Sequence, residues 1–238
     1  FDCDWSSDVC SSDLKNGISY DYAFTDHKYH AVEITVKAIN SGFSKIIAMG
    51  GDGTLNEVVN GIFIQKKIAP TEITVGVIAV GTGNDWFRMY NIPLDYRNCI
   101  LAIAKGNTFK QDIGRVEYYE SMVQNHRYFA NAAGVGFDAE VALRTNRLKE
   151  HGRKGALLYM FSLLKALLFY RHTTIEIAID ETKIHKKAFS LTLGIGRYNG
   201  AGMMQVPNAI ANDGLFDITL IRKVSKLSVI WNIHRLYN

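Results

Sequence analysis

The chain has 238 residues, 47% hydrophobic and 21% charged, with only three cysteines. These proportions exclude wholesale disorder and a disulfide framework, and they leave room for one large domain or two small ones. Net charge is +4, but Asp2, Asp4, Asp8 and Asp13 sit in a segment (1–14) with no Lys or Arg, so 27 basic residues face the other 19 of the 23 acidic ones, a balance that suits an anionic nucleotide, nucleic acid or membrane surface.

Residues 1–14 hold a near-repeat, Ser6-Ser7-Asp8-Val9-Cys10 and Ser11-Ser12-Asp13-Leu14, with neither helical nor strand period. That segment is expected to be non-native and stands outside the fold reading. Residues 18–24 alternate as a strand. Thr25-Asp26 signals a helix N-cap, with the helix over 28–40 and a stop at Ser41-Gly42. Residues 45–49 predict a short buried strand, 54–65 a helix with Leu55, Val58, Val59 and Ile62 on one face, and 73–80 another strand. Short helices follow at 85–89 and 96–104, the second stopped by Gly106-Asn107. Strand alternating with helix predicts parallel pairing with helical crossovers.

Beyond residue 107 the pattern changes. Strands are predicted at 108–118, 127–132, 174–179, 183–195 and 215–221, with helices only at 140–146 and 154–170. This predicts a mainly antiparallel β domain, so the expected domains are 15–107 and 108–238. The longest apolar stretch, 156–170, is interrupted by Lys165 and falls short of the ~20 residues of a bilayer-spanning helix. With no secretory leader visible, the expectation is a soluble cytoplasmic protein.

Two glycine turns carry the chemistry. Gly50-Gly51-Asp52-Gly53-Thr54-Leu55-Asn56-Glu57 follows a predicted strand and opens a predicted helix. A helix N-terminus presents unpaired N–H groups and partial positive charge, and glycine lets backbone approach a phosphate. Neither a P-loop nor a G-x-G-x-x-G fingerprint is present, and the plainer alternative is a tight turn with Asp52 and Thr54 capping the helix. Gly81-Thr82-Gly83-Asn84-Asp85 follows the next strand. In an open parallel sheet both turns gather at the carboxyl ends of the strands, where ligands bind.

At this point a family resemblance enters. GGDGTLNEVVNG from Gly50, GTGNDWFR from Gly81, GVGFDAEV from Gly134 and GRYNGAGMMQVPNAIANDGLFDITL from Gly196 resemble the diacylglycerol kinase catalytic-domain family, with its bacterial YegS/BmrU-like lipid kinases. The resemblance implies an α/β nucleotide-binding domain, related to those of NAD kinases and phosphofructokinases, followed by a β-sandwich that binds lipid. It implies transfer of the γ-phosphoryl group of ATP to a lipid hydroxyl, diacylglycerol or a related acceptor. ATP would meet Thr25, the Gly50–Asn56 turn and Thr82, with Glu57 orienting the turn. Mg²⁺ would be held by Asp213 and the carbonyls of Ile210 and Leu215. The Asp213-Gly214 pair has a plainer alternative as a hairpin turn.

The sequence departs from the family at both ends. The opening strand and N-P-x-[SA]-G-type turn are not matched, and no D-G-E supplies the family's proposed general base, so truncation at both ends and impaired turnover are expected. Asp52 is left as the catalytic candidate. A lipid at the membrane surface is the expected partner, with the basic residues Arg144, Arg147, Lys149, Arg153 and Lys154 beside the apolar 156–170 stretch. A nucleic-acid partner is not expected, and a homodimer is left open. The alternatives are an NAD kinase-like enzyme or a nucleotide- or lipid-binding protein without catalysis. His27 and His30 could hold a metal, although a capped helix start beside the nucleotide is the plainer reading of the same residues.

Overall fold

The computed structural model describes residues 20–81, 83–150 and 156–237. The chain divides into two compact units after Ala130.

In the first unit α1 (His30–Asn40) leads to β1 (Lys45–Gly50), α2 (Asp52–Ile64) and β2 (Thr74–Ala79). β1 and β2 pair in parallel from Lys45 opposite Thr74 to Gly50 opposite Ala79, with α2 as the crossover between them. Helices cover one face of this pair and, at β2, the other as well, whereas Ile47 and Met49 of β1 are exposed, so the strand expected to be buried at 45–49 is buried only at Ala48. Ala48 and Val77 enter a core with Ala31, Ile39, Leu55, Val58, Val59, Ile62 and Phe87. The neighbouring Ile78 points the other way, to Cys99 and Ile100 of α4 (Tyr96–Lys105). This alternation along β2 is the period-2 geometry of a strand buried on both sides. Between β2 and α4 lies α3 (Asp85–Met89), whose Phe87 is 1% exposed.

Two further expectations need correction here. Residues 20–24 do not form a strand, and Tyr22 and Phe24 are 71% and 72% exposed. Alternation alone cannot make a strand without a partner edge, and none pairs with this segment among the described residues. Nor do Thr25 and Asp26 cap α1. Its N-cap is Tyr29, in the left-handed region at φ 70° and without a side-chain cap of its own.

The units meet at Ala130–Asn131, whereas the sequence pattern changes near residue 107. The difference is the hairpin of β3 (Gly114–Glu120) and β4 (Val123–Phe129), closed by Ser121 and Met122 at φ 50° and 69°. Its alternating residues look like sandwich strands, yet long-range side chains tie it to α2 and α3. The buried Asn60 donates through Nδ2 to the Tyr128 carbonyl (2.8 Å) and accepts the Tyr128 N–H (3.0 Å). Gln111 accepts from Trp86 Nε1 and Tyr90 Oη, both at 2.7 Å, and donates to the Ala130 carbonyl at 2.6 Å.

The second unit is built on an antiparallel sheet. β7 (Thr182–Gly194) pairs with β6 (Thr173–Ile179) through its first half. Its second half lies between β5 (Ala132–Gly136) and β8 (Asp217–Arg222). α5 (Phe137–Glu150) and α6 (Ala156–Phe169) follow β5, and α7 (Lys226–Asn232) follows β8. Their inner faces form one core, in which Phe137, Val141, Leu163, Ala166, Leu167, Phe189 and Met203 are buried and Val229 packs against them. The architecture is therefore an α/β unit followed by a mainly antiparallel sandwich-like unit, as the sequence predicts.

Candidate functional site

Both glycine turns leave the carboxyl ends of paired parallel strands, so they start side by side. The Val80 N–H donates to the Gly50 carbonyl at 3.0 Å. Beyond that bond the turns touch with no room for a side chain: a Cβ on Gly81 would lie 2.5 Å from the Gly51 Cα. Asn84, at φ 52°, donates through Nδ2 to the Gly81 carbonyl at 2.7 Å. Its Oδ1 is buried at this junction with no hydrogen-bond partner among the described residues. A buried acceptor left unpaired costs free energy, so it marks a place that a bound donor or water would satisfy.

Three helix N-termini begin near these turns, and α2 treats them differently. Glu57 receives the Tyr29 N–H at Oε1 (3.1 Å) and the Ala31 N–H at Oε2 (3.2 Å), so it caps α1 from outside. Asp52 receives the Trp86 N–H at Oδ1 (2.9 Å) and the Asp85 N–H at Oδ2 (3.0 Å), so it caps α3. α2 itself starts at Gly51 with no side-chain cap. Two positive helix ends are thus answered by carboxylates of the protein, and the α2 end keeps its N–H groups for another acceptor.

The expected site residues separate accordingly. Gly50, Gly51, Gly81, Gly83 and Asn84 lie on the paired turns, Gly53 and Thr54 in the first turn of α2, and Asp85 at the start of α3. Thr82 lies outside the described residues. The Leu55 side chain, 4% exposed, belongs to the core, and Asn56 lends its carbonyl to Asn60 Nδ2 at 2.7 Å. Thr25 is exposed in the irregular segment before α1. Asp52 bridges the two turns instead of capping its own helix, and Glu57 orients α1 instead of its own turn. Neither role has a sequence signal, because the partners lie some thirty residues away.

In the second unit residues 210–215 form a turn before β8 that is exposed apart from the buried Ala211. The Leu215 N–H donates to Asp213 Oδ1 at 3.0 Å, and Gly214 sits at φ 76°. This is an Asx-type turn and not a two-residue hairpin, since β8 pairs with β7. An exposed carboxylate with neighbouring carbonyls is an all-oxygen donor set, which fits a hard ion such as Mg²⁺. The basic stretch is only partly described: Arg144 is paired with Glu140 at 2.6 Å, and Arg153 and Lys154 lie outside the described residues.

Two further clusters lie apart from the glycine turns, and only the first escaped sequence reasoning. Asp138, at the start of α5, accepts from Thr192 Oγ1 at 2.8 Å, and Gln205 Oε1 lies 3.1 Å from the same hydroxyl. Burial pushes the Asp138 carboxyl above the usual carboxylate range, opposed by its bonds to Thr192 and Gln205. At the entry to α1, Asp26 and His27 are hydrogen-bonded. This bond is the largest cause holding the Asp26 carboxyl low and raising the His27 imidazole.

Comparison with known proteins agrees with this layout. The diacylglycerol kinase catalytic domain matches residues 7–116, and the YegS C-terminal NAD kinase beta sandwich-like domain matches residues 131–238. A diacylglycerol kinase of Staphylococcus epidermidis is 33% identical over 190 residues, covering 79% of this chain and 56% of its own. One from Staphylococcus aureus (strain Newman) is 32% identical over 188 residues, covering 79% and 55%. The chain therefore spans about half the length of the curated relatives it matches. A Bacillus anthracis structure superposes with a TM-score of 0.71 at 20% identity, over 96% of this chain and 74% of that one. The crystal structure of a diacylglycerol kinase from the same organism gives 0.63 at 22%, over 89% and 65%. At such identities the likeness is one of fold.

Proposed function

Because this chain belongs to the diacylglycerol kinase family, with a catalytic α/β domain followed by a YegS-type sandwich-like domain, we propose that it transfers the γ-phosphoryl group of ATP to the hydroxyl of a lipid such as diacylglycerol. The observation that carries the proposal is the uncapped N-terminus of α2, set between two helix ends that α2 caps with its own carboxylates. The N–H groups of Asp52, Gly53 and Thr54 would hold phosphate oxygens, and the bare Gly51–Gly81 contact lets the backbone approach them. Phosphoryl transfer depends chiefly on positioning and charge stabilisation, so rigid loops matter more than a reactive side chain.

Asp52, with both oxygens engaged, acts here as a positioning residue that fixes α3 and the second turn against the first. Mg²⁺ would sit at Asp213 with the carbonyls of Ile210 and Leu215, and when bound it supplies positive charge that orders this turn.

The lipid would be met at the inner face of the membrane, in peripheral contact. Among the described residues no helix is long and apolar enough to cross a membrane. Leu164, Leu168 and Phe169 of α6 are exposed, as are Leu227 and Trp231 of α7. The Lys226 ammonium donates to the Leu168 carbonyl and joins the start of α7 to the end of α6. An apolar surface beside lysine suits an anionic interface.

Two measurements test the proposal. Calorimetry with MgATP should show one saturable site that Gly81→Ala abolishes. Labelled ATP offered with diacylglycerol, phosphatidylglycerol, a sphingoid base or undecaprenol in mixed micelles should label one of the lipids. Absence of MgATP uptake by the wild-type chain overturns the nucleotide assignment. Uptake without labelling of any lipid leaves a nucleotide-binding protein in its place.

A further inference from the structure

We propose that Asp26, His27 and His30 form a site for a borderline divalent metal ion of the zinc, nickel and copper class, separate from the magnesium turn. Tyr29 is left-handed just before α1, and the imidazoles of His27 and His30 stack on either side of it in the chain. Their ring centroids are 4.4 Å apart and the planes differ by only 14°. One carboxylate oxygen then serves both rings: Asp26 Oδ1 is hydrogen-bonded to His27 Nδ1 and lies 2.8 Å from His30 Nδ1. Three ligand atoms, one from each residue, lie within 4.8 Å of one another, the only such convergence of three His, Cys, Asp or Glu side chains among the described residues.

The outer side of the cluster has the second feature of a metal-binding histidine. His27 Nε2, the nitrogen left over, faces Glu33 Oε1 at 3.7 Å. A carboxylate on the far nitrogen fixes the ring and makes the near nitrogen a better donor. The imidazoles sit differently: the His27 side chain is 55% exposed and His30 23% exposed. An ion could therefore enter from solvent and complete its shell with water. Two imidazole nitrogens and one carboxylate oxygen favour zinc, nickel or copper over magnesium, which takes oxygen ligands. Binding would displace the proton shared between Asp26 and His27, which would leave to solvent, and would take His30 Nδ1 from the Asp26 N–H that it accepts at 3.2 Å. It would tie down the segment running from Asp26 into α1, beside the Glu57 clamp on Tyr29 and Ala31.

The probe is zinc alone, titrated into the purified chain against a chromophoric chelator, with cobalt absorption as a second readout of imidazole ligation. One zinc per chain is expected. His27→Ala, at an exposed position, should weaken it at least tenfold, and Glu33→Gln should weaken it by about 10- to 100-fold, the range for a lost outer-shell carboxylate. His185→Ala, at an exposed histidine in the second unit, should leave affinity unchanged. Circular dichroism of each variant shows whether α1 is retained. Zinc uptake that survives His27→Ala in a folded chain, or that falls equally with His185→Ala, overturns the site. So does a wild-type chain that takes up no zinc in the micromolar range.

Discussion

Replacing Asp52 by alanine separates a structural brace from a catalytic carboxylate. Its two oxygens hold the N–H groups of Asp85 and Trp86 at 3.0 and 2.9 Å. Both residues are buried, at 5% and 9% exposure, so water cannot freely replace the lost acceptor. A hydrogen bond to a charged group contributes about 1.5–3 kcal/mol, and an N-cap aspartate about 1 kcal/mol over alanine. Asp52 is itself half-exposed and part of each bond is exchanged with solvent, which places the expected loss at about 2–3 kcal/mol. That is a fall of roughly 30- to 150-fold in the folding equilibrium constant. Urea denaturation followed by tryptophan fluorescence measures it, since Trp86 sits on the affected helix. Asp52→Asn should lose part of this, because its amide turns an N–H toward one of the two donors. A change below about 0.5 kcal/mol for Asp52→Ala, the level of an ordinary surface substitution, would refute the bracing role and return Asp52 to the chemistry.

Other perturbations address the remaining contacts. Asn60→Leu strips both bonds to Tyr128, with an expected cost of about 2–4 kcal/mol for the buried groups left unpaired. Hydrogen exchange at the Tyr128 amide should accelerate, and unchanged exchange would count against the tie. Glu57→Gln should cost about 1 kcal/mol by weakening the cap on α1, read as a lower midpoint in urea. Asp138→Asn should change the pH dependence of melting. Burial raises the folded-state carboxyl above its value of 3.8, so the stability linked to the protonated form is fully present below pH 3.8 and is lost as pH rises through the folded-state value. The melting-temperature difference, variant minus wild type, should therefore grow across that window. A flat difference from pH 3 upward would refute the burial effect.

Much of the α/β unit was legible because its signals are local. The apolar face of α2 and the glycine turns appear as letters, since a Cβ at Gly81 would collide with Gly51. The strand expected over 18–24 is absent from its described residues, 20–24, for the opposite reason: alternation records which side chains could face a core, not whether a partner edge exists. The β3–β4 hairpin has sandwich-like strands, and the contacts that tie it to the first unit come from Asn60 and Phe63 of α2, more than sixty residues before Tyr128 in the chain. At the site, the turn residues were visible, whereas the tasks of Asp52 and Glu57 were not. A carboxylate that caps a distant helix leaves no periodic trace, and its own helix start supplies a plausible but different partner.

The unequal treatment of the three helix ends also sets a clock. Amide hydrogens at Tyr29, Ala31, Asp85 and Trp86 are held by Glu57 and Asp52, so deuterium should replace them only when those carboxylates let go. The first amides of α2 have no such guard and should label within the earliest time points. Slowing confined to those few positions, with the held ones unmoved, would trace the outline of an arriving anion without any label on the anion itself.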